Sequence, residues 1–287
     1  MEYDISMILP TIRTHLLEDL YNSIEKSCPN HSFELVMVGP FDIPEYLQNK
    51  KNIKHIKDYG SPTRAMQIAL INATGKLVQP LVDDCLYYPD MLSNTIEIFN
   101  EQNNDKTILG MRFFESPEHY KAIKERGFFL PDENTRNKAH PIHYWYACGG
   151  YNLACVNPNW GSACLFIADT NLVKEFGGWD CQFEYNNHST HDLLFRMQKY
   201  GSQFFITNYD VFVANWYQGT TVDHAPVHYG QLTHDEPLFR QVWSQINDRY
   251  RVHLDNYKYA PEIWTRRFNK GIPKTYQEMM DATSISQ

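Results

Sequence analysis

The sequence predicts an α/β fold, a mostly parallel sheet with helices on both faces. Three observations carry that expectation. Strand-like and helix-like periods alternate from the N-terminus to about residue 102. Capping residues, prolines and glycines punctuate the boundaries between them. Hydrophobic residues make up 43% of the 287 residues, enough apolar mass for a sizeable core.

The elements follow in order. DISMILP, residues 4–10, is a short apolar run ended by Pro10 and reads as a strand. THLLEDLYNSIEKSC, 14–28, places Leu16, Leu17, Leu20 and Ile24 on a helical period, with Thr14 at the N-cap position and Pro29 beyond the end. FELVMVG, 33–39, is a second strand, and NIKHIKDYG, 52–60, a weaker third. SPTRAMQIALINATG, 61–75, reads as a helix with Ser61 as N-cap, Pro62 at its first position and Gly75 past its end. KLVQPLVDD, 76–84, is a fourth strand that runs into Asp83 and Asp84, and YPDMLSNTIEIFNEQ, 88–102, is a helix.

Beyond TILGMRFF, 107–114, the alternation breaks. Residues 115–160 are rich in charge, aromatics and turn residues and read as a long functional loop. GSACLFIAD, 161–169, then reads as a buried strand, TNLVKEFGG as a short helix, THDLLFRMQKYG as a capped helix and SQFFITNYDVFVANW as one or two strands. Two further helices are expected near 235–250 and 273–282. The domain expected is 1–245, in two halves, 1–102 and 103–245, followed by a C-terminal extension, 246–287.

Composition narrows the function. Net charge is −8, against the basic surface of a duplex nucleic-acid binder, so no nucleic-acid partner is expected. The acidic start MEYDISMILPTIR lacks the basic and long apolar segments of a secretory signal, and no run has the length of a bilayer span. The six cysteines form no C-x-x-C pair and read as free thiols in a cytoplasmic protein.

Asp83 and Asp84 are the residues that point to chemistry. Two adjacent carboxylates repel, more strongly at the end of a buried strand than in water. A divalent cation relieves the repulsion, and hard oxygen ligands suit Mg²⁺ or Mn²⁺ together with substrate phosphates. A solvated turn that begins the next helix would use the same two residues.

Five stretches in order resemble family-2 glycosyltransferases, which have the GT-A fold. SMILPTIR is similar to their opening strand. SPTRAMQIALINATGKLVQPLVDDCLYYPDML resembles their Arg-bearing helix, strand and Asp-x-Asp type motif. GSACLFIADTNLVKEFGGWD, HDLLFRMQKYG and VDHAPVHYGQLTHDEPLFRQVW resemble the start of the acceptor half, the helix with the late acidic motif, and a tail with a metal-facing His. The resemblance spans about residues 4–245. It implies transfer of a sugar from a nucleotide diphosphate sugar donor, with inversion, to a sugar or glycoconjugate acceptor, in polysaccharide or glycoconjugate synthesis. It implies Thr11, Arg13, Asp42, Arg64 and Asp83 near the nucleotide sugar, Arg64 reaching the diphosphate or a base-proximal carboxylate. Asp84 and His224 would hold Mn²⁺ or Mg²⁺, and Trp179, Asp180 and Tyr146 would line the acceptor side. Asp192 would be the general base, with His191 and Glu184 as reserves.

Two departures matter. Gly39 stands where the family usually ends its second strand in Asp, and STHDLLFRM replaces the usual Glu-Asp pair, so that Thr190 falls on the base position if Asp-Leu-x-x-Arg is the anchor. A non-catalytic sugar-binding protein on the same fold is the rival these departures favour. A nucleotidyltransferase is a second rival, but LPTIRTHL lacks the Gly-rich basic loop it would need.

Overall fold

The computed structural model describes residues 2–126, 146–147, 157, 159–215, 229–244, 251–260 and 275–284. The aromatic group around Tyr146, apart from a backbone strand at Tyr146–Ala147, lies outside the described side chains, and His224 lies outside the described residues.

The expected alternation holds through the first third. Strands β1 (Ile5–Pro10), β2 (Phe33–Val38), β3 (Ile53–Ile56) and β4 (Leu77–Pro80) alternate with helices α1 (Leu17–Ser27), α2 (Glu45–Gln48) and α3 (Pro62–Asn72). After them come β5 (Cys85–Tyr87), α4 (Met91–Glu101), β6 (Thr107–Glu115), α5 (Pro117–Arg126), β7 (Tyr146–Ala147), β8 (Gly161–Ser162), β9 (Phe166–Asp169), α6 (Thr170–Glu175), α7 (Asn186–Lys199) and β10 (Gln203–Ala214). A π-helical turn, Gln231–Asp235, leads into α8 (Glu236–Ser244), and α9 (Tyr276–Ser284) comes last.

Eight strands form one sheet in the order β3-β2-β1-β4-β9-β6-β10-β5. β3, β2, β1 and β4 are mutually parallel, as are β6 and β10. β9 runs antiparallel to both β4 and β6, and β5 antiparallel to β10. Alternation along β1 sorts the core. Ile5, Met7 and Leu9 pack with α1 and α4 on one face, while Ile8 joins Val36, Val38, α3 and α7 on the other.

Local chemistry explains the departures. β4 stops at Pro80, and Leu81 adds one last backbone bond to Ile8 (2.9 Å). Asp83 and Asp84 therefore sit in a turn, not at a strand end, and β5 follows directly. Thr14 opens a 3₁₀ turn, Thr14–Leu16, with no side-chain cap, whereas Ser61 does cap α3 by accepting from the Arg64 N–H at 3.0 Å. GSACLFIAD divides into β8 and β9. The carboxylate of Asp235 accepts from the Glu184 and Tyr185 N–H groups (2.9 and 2.6 Å), and α7 accordingly starts at Asn186, ahead of Thr190. Helix α5 occupies part of the expected loop.

Residues 251–260 are stitched back onto the first half. Gln67 donates to the carbonyls of Gly177 and Leu254 (2.8 and 2.7 Å), and Arg64 to those of Tyr257 and Ala260. Gly177 has φ +83°, and a Cβ there would lie 1.8 Å from the Val252 carbonyl oxygen, so only glycine permits this approach. Cys28, Cys85, Cys164 and Cys181 are free thiols. Among the described residues, no helix is long and apolar enough to cross a membrane.

Candidate functional site

In a parallel sheet, ligands bind outside the carboxyl ends of the strands, where the strand order reverses direction. Here that point is β1, flanked by β2 on one side and β4 on the other. The segments leaving β1 and β4 meet there. Thr11 Oγ1 donates to Asp83 Oδ2 at 2.8 Å, and the Arg13 N–H reaches the same oxygen at 3.3 Å. Arg13 Nη1 donates to Asp83 Oδ1 at 2.9 Å and lies 3.5 Å from Asp84 Oδ2. One guanidinium thus sits between the two carboxylates and offsets much of their repulsion. Asp83 is held by three donors and buried. Asp84 is partly exposed, and its backbone carbonyl accepts from the Asn215 N–H at 2.7 Å, tying the turn to the end of β10.

Glu115, at the end of β6, is a member of this cluster that sequence reasoning missed. Burial, then the charge of Asp84, pushes its carboxyl up to about 7. The same neighbourhood includes Tyr185, whose hydroxyl is pushed up by burial and by Cys164, Asp84 and Glu115, with Arg13 opposing. The one signal available in the sequence was position: Glu115 ends an apolar strand, as Asp83 and Asp84 follow one.

The other expected site residues divide. Arg64 makes a forked contact with Asp58 at the end of β3 (Nε and Nη2 at 3.0–3.1 Å) and spends Nη1 on the carbonyls of residues 257 and 260. It therefore reaches a carboxylate and not an open cleft. Asp42 is exposed and pairs with Lys57 at 2.8 Å, which holds its carboxyl below the usual range.

Trp179 is wholly buried, stacked on Phe166, with Nε1 donating to Thr190 Oγ1 at 3.0 Å. It is a core residue and does not line a cleft. Asp180 is also buried and accepts from the Gln182 backbone and side chain. Asp192, the expected base, has no solvent exposure. Its Oδ2 accepts from Arg196 Nε at 2.9 Å and its Oδ1 from Trp243 Nε1 at 3.0 Å. Arg196 in turn donates to the Phe176 and Gly178 carbonyls. That geometry makes Asp192 the centre of a buried network, with neither oxygen presented to an incoming hydroxyl. His191 is buried beside His188, bonded through Nδ1 to Ser162 Oγ, and burial holds its imidazole down at about 3, so it is neutral. Glu184 is buried and directly precedes Tyr185, the residue that neighbours Asp84 and Glu115.

Among the described residues, no three His, Cys, Asp or Glu side chains converge as ligands of one ion. The donors at the cluster are nonetheless hard carboxylate oxygens, Asp84 with Glu115 nearby, and two carboxylates plus substrate phosphates fit Mg²⁺ or Mn²⁺.

No protein-family model matches the sequence, and no curated protein matches it. Solved structures do. A crystal structure of S. aureus TarS residues 1–349 is 16% identical, covering 86% of this chain and 71% of that one, with a TM-score of 0.50. The same protein in complex with UDP-GlcNAc is 16% identical over 92% and 79% of the two chains, with a TM-score of 0.49. The likeness is one of architecture: the chain has a GT-A-like fold, with a curled eight-stranded sheet flanked by helices.

Proposed function

We propose that this chain is a glycosyltransferase that moves a sugar from a nucleoside diphosphate sugar to a hydroxyl acceptor, a polysaccharide or glycoconjugate, with inversion. One observation carries the reading: Thr11, Arg13, Asp83 and Asp84 meet at the switch point of a GT-A-like sheet. Arg13 supplies a cation where a diphosphate would lie, and Asp83, fixed by three donors, orients it. Asp84, with Glu115, would hold Mn²⁺ or Mg²⁺, which when bound stabilises charge on the departing diphosphate.

Single displacement needs one base and no covalent nucleophile. Asp192 and His191 are enclosed in the core, and Glu184, buried at 8% exposure, is the least enclosed of the three expected candidates to accept the acceptor's proton. Glu184→Gln should lower kcat by about 10²–10⁴-fold with nucleotide affinity unchanged. The test of the whole reading is nucleotide release from a panel of nucleotide sugars with Mn²⁺, native chain against Asp84→Ala. Release that depends on metal and on Asp84 supports it. A panel that is neither bound nor hydrolysed overturns it. The second reading, a binding protein without chemistry, is favoured by the enclosure of Asp192; binding without release in that assay would select it.

A further inference from the structure

The C-terminal helix docks beside this cluster. Met279 of α9 is 2% exposed, and with the half-buried Tyr276 and Met280 it packs against Ile12, Phe41 and Tyr59. Those three residues follow the carboxyl ends of β1, β2 and β3. The Tyr276 ring lies 4.8 Å from the ring of His15. Ile12 is the residue between Thr11 and Arg13, so α9 touches the same turn that carries the charged cluster.

The sheet order separates two sides of β1. The charged groups occupy the side toward β4, and α9 occupies the side toward β2 and β3. Asp83, Asp84 and Glu115 crowd the first side with charge, so the apolar second side is the one suited to the base of a nucleotide whose diphosphate lay at Arg13. Flat apolar walls such as Phe41, Tyr59 and Ile12 are what a base ring favours, and Met279 fills the space among them. The docked face of α9 is apolar, Tyr276, Met279 and Met280, while Gln277, Glu278 and Asp281 are exposed. Methionine is unbranched and flexible and adapts to irregular gaps, so it suits a surface that must pack in more than one way.

We propose that α9 is a reversible plug on the nucleoside side of the cleft, so that helix docking and nucleotide binding exclude one another. The inference rests on the nucleotide-sugar reading above. It is tested by titrating UDP, GDP and ADP, each with Mn²⁺, into the full chain, into a chain ending at residue 274, and into Met279→Asp. If the plug is seated about nine-tenths of the time, at least one nucleotide binds both variants about tenfold more tightly. Saturating the unmodified chain with that nucleotide also speeds amide exchange across 276–281, a measurement that holds even if a variant folds poorly. Equal or weaker binding by the variants, or unchanged exchange, overturns the plug alone. Failure of every form to bind any nucleotide overturns the underlying reading as well.

Discussion

Asp84 lies in the turn after a strand and Asp192 within helix α7, and their surroundings give these two carboxylates opposite work. Asp192 is paired with Arg196 inside the core, and removing one partner strands a buried charge at a cost of about 3–5 kcal/mol. Asp192→Ala should lose about that much stability in urea titration; a variant of native stability with transfer abolished would return the base role to Asp192. Asp84 is partly exposed and shares its cation with Asp83. Asp84→Asn should keep stability within about 1 kcal/mol of the parent and lose Mn²⁺-dependent nucleotide binding by calorimetry. His191 sets an acid limit. Its native value lies below the unfolded one, so its contribution is complete above pH ~6.5 and is lost as pH falls toward about 3. Between pH 7 and pH 5 that loss is about 2 kcal/mol. Urea titration of His191→Gln should show a correspondingly shallower acid dependence; an unchanged slope would refute the assignment.

At the scale of elements, the legible parts were those whose signals are local. Ser61, Pro62 and the apolar period of 61–72 place α3 without reference to anything distant. The roles of Arg64 and Asp192 were not legible, because their partners are remote in sequence. Arg64 is claimed by carbonyls 193 and 196 residues away. Asp192 and Arg196 have the spacing of a family motif and also of an intrahelical ion pair, and only Trp243, 51 residues on, decides between them. The same remoteness hid the segment 251–260, which the sequence presents as an extension and the fold uses as a clasp across α3 and Gly177. Gly177→Ala should cost about 1–3 kcal/mol from its left-handed backbone alone. It should also raise amide exchange at 252–258, since the added methyl displaces Val252.

For the whole molecule, a ligand that binds only the native state raises its stability by mass action. A nucleoside diphosphate with Mn²⁺ at a hundred times its Kd should add about 2.7 kcal/mol. Thermal shift would read this, and Asp84→Asn should abolish the gain. The arrangement of the sheet also bears on biosynthesis. The two parallel blocks, β3-β2-β1-β4 and β6-β10, are hydrogen-bonded to each other through β9, which the chain does not supply until residues 166–169. A ribosome therefore delivers β4 long before its neighbour exists, and the nascent polypeptide carries a raw strand edge of the kind that recruits other chains. Residues 1–102 made alone should consequently come off a sizing column as oligomers, however well their own α/β pattern is formed.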